Sequence, residues 1–155
     1  MSGVRERDGQ HGLLVNSGCL ERTMASKHIL AIDDDTDNLE LVSLALQLRA
    51  GWQVTQVTDG ARGIRMAADR PDLILLDVHM PRLRGPEILS ALRENPVTTD
   101  IPVVLLTASA FPGRLSGLDV QGIITKPFSP GRLPEHLCDL LGWPSPVRDR
   151  VLVAA

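Results

Sequence analysis

The apolar positions of this chain fall in short blocks whose period changes along the sequence. His28–Ile32 (HILAI), Leu73–Leu76 (LILL), Val103–Leu106 (VVLL) and Gly122–Thr125 (GIIT) are compact apolar runs of strand length. Gln53–Thr58 (QVTQVT) sets Val54 and Val57 among polar residues and reads as an edge strand. Between the strands the spacing lengthens. Asp37–Arg49 carries Leu39, Val42 and Leu46 at i, i+3, i+7, which predicts a helix. Ala61–Ala68 is a helix stopped ahead of Pro71, Gly85–Glu94 one stopped ahead of Pro96, and Leu133–Leu141 one closed by Gly142. Residues 109–119, which contain Pro112, Gly113 and Gly117, are ambiguous, and a helix there is expected to be shortened or irregular. Strand and helix thus alternate five times, which predicts a parallel sheet covered on both faces. The continuous apolar strands 1, 3 and 4 belong at its centre. The expected fold is a doubly wound five-stranded α/β sheet in the flavodoxin-like order 2-1-3-4-5, with ligands beyond the carboxyl ends of strands 1 and 3.

Length and composition narrow the classes. The 155 residues suit one domain. Residues 1–26 hold four of the thirteen glycines and show no period of 2 or 3.6, so a flexible extension is expected there, with Met24 a second candidate for the start of translation. A net charge of −3 and 3% aromatic residues argue against a nucleic-acid partner, which needs a basic face and stacking platforms. No apolar run is long enough for a membrane span or a signal peptide. Cys19 and Cys138 form no metal-ligand spacing, and a reducing, cytoplasmic setting is expected.

Chemistry gathers at the predicted strand ends. Strand 1 runs into Asp33, Asp34 and Asp35, and strand 3 into Asp77. Neighbouring strands lie about 5 Å apart, so these carboxylates share one mouth and need a compensating cation. A metal in such an all-oxygen site is a hard ion, Mg²⁺ where phosphate is handled. Asp35 and Asp37 are the expected caps of the first helix. Strand 4 ends in Thr107 and strand 5 in Lys126-Pro127. A lysine ending an apolar strand needs a partner, and the acidic pocket offers one. Acids, a hydroxyl and a cation at four strand ends describe a phosphoryl-transfer site.

The segments IDDD at 32–35, PDLILLDVHMP at 71–81, LLTAS at 105–109 and ITKPF at 124–128 resemble the receiver domain of two-component response regulators. The resemblance covers residues 27–141 and leaves 142–155 as a C-terminal tail, with no output module attached. It implies that Asp77 is the phosphoacceptor, and that Asp33, Asp34, Asp77 and the backbone carbonyl of His79 hold Mg²⁺. It further implies that Lys126 pairs with the phosphoryl oxygens, that Thr107 turns toward one of them, and that the Lys126–Pro127 bond is cis. The implied donor is a histidine kinase or histidine phosphotransfer domain, and the implied recipient of the signal a downstream protein. On this resemblance the chain is a signalling phosphoacceptor rather than an enzyme with an external substrate.

The chain departs from the family's pattern where Ile123 stands in place of an aromatic residue three positions before Lys126. The signal is then expected from Phe111 and the 109–119 loop. Two other readings compete: a pseudo-receiver that binds partners without accepting phosphate, and a haloacid-dehalogenase-like phosphatase with Asp33 as nucleophile. Finally, Leu39, Leu41, Val42, Leu44, Ala45, Leu46 and Leu48 occupy more of the first helix than a sheet can cover, and predict an exposed apolar patch for the kinase.

Overall fold

The computed structural model describes residues 26–108, 115 and 117–146. Five parallel strands, β1 (His28–Ile32), β2 (Gln53–Val57), β3 (Leu73–Asp77), β4 (Val103–Thr107) and β5 (Gly122–Thr125), form one sheet in the order β2-β1-β3-β4-β5. Among the described residues four α-helices cover it: α1 (Thr36–Ala50), α2 (Gly60–Met66), α3 (Gly85–Glu94) and α4 (Leu133–Leu141). The predicted flavodoxin-like fold is the observed one. Most of residues 109–119, and with them the expected irregular helix and Phe111, lie outside the described residues, as does the proposed extension up to residue 25.

Strand alternation sorts the core into two layers, because successive side chains point to opposite faces. Leu30, Ile32, Ile74, Leu76, Val103 and Leu105 pack on one face with Ile88, Leu89 and Leu92 of α3. Ile29, Ala31, Leu73, Leu75, Val104 and Leu106 pack on the other with α1 and with Leu133, Leu137 and Cys138 of α4. β3 and β4 are buried along their whole length, whereas β2 exposes Gln53 and Gln56 at the sheet edge.

Local chemistry sets the helix ends. Asp35 caps α1 by accepting the amides of Asp37 and Asn38. Asp37, the second expected cap, lies inside the first turn instead, where its charge suits the helix dipole. Gly51 closes α1 at φ 67°, with its amide on the Gln47 carbonyl and that of Trp52 on Leu46. α2 gives way after Met66 to a 3-10 turn at Ala67–Asp69, so the expected helix to Ala68 is shorter in its α part. α4 begins at Leu133 with Pro134 inside its first turn, where a missing amide costs nothing.

Candidate functional site

The parallel topology carries the ends of β1, β3, β4 and β5 to one rim. Asp33 follows β1, and its amide is held by the Val57 carbonyl at 3.0 Å. Asp77 is the last residue of β3, and the next amide, Val78, donates to Leu106 of β4 at 3.1 Å. The loop after β3 then folds back tightly. The Gly85 amide donates to the Val78 carbonyl at 3.2 Å, and a Cβ on Gly85 would stand 2.9 Å from the Val78 Cα, so this close approach needs glycine.

Carboxylate oxygens of Asp33, Asp34 and Asp77 lie within 4.8 Å of one another, with Asp33 and Asp77 buried and Asp34 exposed. Lys126, just past β5, reaches across the sheet to place Nζ 3.1 Å from Asp33 Oδ2 and 3.6 Å from Asp77 Oδ1. The Lys126 amide also donates to the Thr107 carbonyl at 2.7 Å, which ties the ends of β4 and β5 together. Thr107 is fully buried, Ala108 beside it is exposed, and the Lys126–Pro127 bond is cis. His79 is exposed, and its amide donates to Asp77 Oδ1 at 3.2 Å. The structure thus brings all six predicted site residues to one end of the sheet.

One participant escaped the sequence reading. Asn38, in the first turn of α1, donates its side-chain amide to Asp33 Oδ2, while the Asp35 amide donates to Asp33 Oδ1 at 3.0 Å. The only sequence signal was a polar residue one turn into a helix that follows the acidic run. A groove of about 500 Å³ opens beside Asp34, lined by Thr58, Asp59, Met80, Arg82 and Leu83 among others.

These surroundings separate the two buried carboxyls. Burial drives Asp77 up, the Asp33 charge adds to it, and the His79 amide and Lys126 do not compensate, so its pKa rises to about 6. Burial also acts on Asp33, but the Asp35 amide, the Asn38 side chain and the Lys126 cation outweigh it and hold that carboxyl below its ordinary value. Lys126 therefore stabilises Asp33 first and leaves Asp77 the underserved acid. Three carboxylates against one ammonium, all offering oxygen, suit a hard divalent cation.

A doubly wound sheet with acids at its switch point and a lysine facing them defines an α/β domain whose candidate binding site lies at the carboxyl ends of its strands. The family model of the response regulator receiver domain matches residues 29–138. The chain belongs to that family. It is 36% identical over 118 residues to the phosphate regulon transcriptional regulatory protein PhoB of Pseudomonas aeruginosa, covering 74% of this chain and 51% of that protein. It is 42% identical over 106 residues to the probable transcriptional regulatory protein TcrX of Mycobacterium tuberculosis, covering 65% and 44%. The chain spans about half the length of these curated relatives. Among solved structures, the chemotaxis protein CheY4 of Vibrio cholerae superposes with a TM-score of 0.69 at 31% identity, over 75% of this chain and 99% of that one. The receiver domain of the Pseudomonas aeruginosa sensor histidine kinase PA1611, solved with a magnesium ion coordinated in its active site cleft, gives 0.68 at 29%, over 76% and 99%. Among the described residues no helix is long and apolar enough to cross a membrane.

Proposed function

We propose that residues 27–141 work as a phosphoacceptor domain in which Asp77 takes a phosphoryl group from a histidine kinase or histidine phosphotransfer domain. The observation that carries this reading is the unequal sharing of Lys126: its ammonium is closer to Asp33 than to Asp77, which leaves Asp77 buried, charged and short of a partner at an open rim. Asp33, Asp34 and Asp77, with the His79 carbonyl, are the residues that would hold Mg²⁺. Bound there, the cation neutralises charge between the carboxylate and the arriving phosphoryl oxygens. An Asp77 oxygen attacks phosphorus; the new P–O bond forms as the P–N bond of the donor phosphohistidine breaks, and the electron pair leaves on the imidazole nitrogen. Lys126 then has phosphoryl oxygens to pair with. The Thr107 hydroxyl is the nearest side-chain donor on β4, and its backbone bond to Lys126 couples the two strand ends.

Asp33 is a poor candidate for the nucleophile of the phosphatase reading, because both of its oxygens already accept hydrogen bonds. The donor's helical domain would dock on α1, the helix that follows the acidic run, where Leu41 and Leu44 are exposed. Incubation with acetyl phosphate and Mg²⁺, followed by mapping of the adduct by mass spectrometry, tests the assignment. Modification of Asp77 is expected. Modification of Asp33 would establish the phosphatase chemistry, and no adduct on either would make the domain a pseudo-receiver.

A further inference from the structure

Three donors converge on the Asp33 carboxylate, and they differ in what holds them. The Asp35 amide donates to Oδ1 at 3.0 Å. Oδ2 takes two donors, the Asn38 side-chain amide and the Lys126 ammonium, the latter at 3.1 Å. Asn38 is the third residue of α1, and its backbone amide is held by the Asp35 side chain that caps the helix. Its short side chain therefore leaves a fixed turn. Lys126 comes from 93 residues away on a long flexible stem, its side chain 22% exposed, and it also approaches Asp77 Oδ1 at 3.6 Å.

The doubling at Oδ2 matters because Asp33 is buried. A buried carboxylate oxygen left without a donor keeps its full desolvation cost. Among the described residues no buried side-chain nitrogen or oxygen is in that state. The transfer proposed above takes Lys126 toward the phosphoryl oxygens and away from Asp33 Oδ2. Asn38 stays behind, because the Asp35 cap pins its turn of α1.

We propose that Asn38 is a positioning residue that keeps Asp33 Oδ2 bonded by itself, so that Lys126 is released to the phosphoryl group without stranding a buried oxygen. The inference rests on the reading of Asp77 as acceptor. Held through both oxygens, by Asn38 and by the Asp35 amide, the Asp33 carboxylate also keeps one orientation toward the rim where a divalent cation would bind. Asn38 acts through Asp33, not on the reacting atoms.

The test is a double-substitution cycle on the full chain, read by urea unfolding near neutral pH with a chelator and no phosphoryl donor. Asn38→Ala and Lys126→Met are made singly and together. Either donor alone satisfies Oδ2, and losing both strands it. The double variant should therefore shift the unfolding equilibrium at least about fivefold beyond the product of the two single shifts. Alanine is the better helix former, so the propensity of α1 adds no loss of its own. A residue that merely fills the first turn gives additive shifts, and additivity would overturn the proposal. Asn38→Ala alone supplies readouts that do not need a stable double variant. Mn²⁺ binding, followed by the paramagnetic resonance of the free ion, should weaken about tenfold; unchanged affinity would overturn the orienting of Asp33 by Asn38. At saturating Mg²⁺, labelling of Asp77 by acetyl phosphate should slow several-fold, and an unchanged rate would overturn the release of Lys126. Absence of label on Asp77 of the parent protein would instead refute the acceptor reading, on which the metal-free cycle does not depend.

Discussion

Replacing Asp77 with asparagine should make the protein more stable while removing its proposed acceptor. Asparagine has the same shape but cannot ionise. Asp77 is buried beside Asp33, and its pKa stands at about 6 against an ordinary 3.8. Two units correspond to about 3 kcal/mol at ~1.4 kcal/mol per unit, as a ceiling. The carboxyl opens on a solvated rim, so screening reduces this to roughly 1–2 kcal/mol. The sign follows from proton binding. Between about pH 4 and 6 the native state holds a proton on Asp77 that the unfolded chain has released, so native stability falls as pH rises through that window. The penalty is complete above it and absent below it. Lys126 keeps its 3.1 Å partner, Asp33, in the variant, so no charge is stranded. Urea unfolding with a chelator present, followed by the fluorescence of Trp52 and Trp143, measures the difference. Asp77→Asn should gain roughly 1–2 kcal/mol near pH 7.5, close to nothing near pH 4, at an unchanged urea slope. A variant no more stable than the parent near neutral pH, or equally stabilised at both, would refute this account of the pocket.

Three further outcomes are expected. Arg93 donates to the carbonyls of Thr99, Ile101 and Asp119 at 2.8–3.3 Å, joining α3 to the chain ahead of β4 and β5; Arg93→Ala should cost about 2–3 kcal/mol in urea unfolding, and Arg93→Lys should restore only part of it. Gly63→Ala should destabilise by about 1–3 kcal/mol despite the helix preference for alanine, because the new Cβ would stand 2.5 Å from Ile32 Cδ1; a gain in stability would show that α2 moves freely off β1. Leu44→Glu should slow phosphoryl transfer from a phosphohistidine donor at least several-fold and leave labelling by acetyl phosphate unchanged; equal slowing with both would indicate a damaged fold.

Much of this protein is legible in one dimension because its signals are local. Apolar runs bounded by Pro and Gly mark the strands, and the buried strands are those whose polar alternation vanishes. Four of the five strands run into a candidate site residue, Asp33, Asp77, Thr107 or Lys126, and a parallel sheet places all its carboxyl ends on one side. The rim could therefore be predicted from β-α alternation alone. Even the surplus leucines of α1 were visible as more apolar circumference than one sheet face can cover.

The tertiary structure decided whatever depends on partners distant in sequence. Asp35 rather than Asp37 caps α1, since the cap is set by where the chain leaves β1. Lys126 lies 93 residues from Asp33, and only their geometry shows that it favours Asp33 over Asp77. Asn38 and Arg93 looked like ordinary helix residues, because a side chain's hydrogen-bond partners are chosen by what the fold brings within 3 Å of it. The sequence by itself determined which groups would share the rim. Burial and through-space charge, which no local pattern contains, decided that one of two buried aspartates has its pKa lowered and the other has it raised.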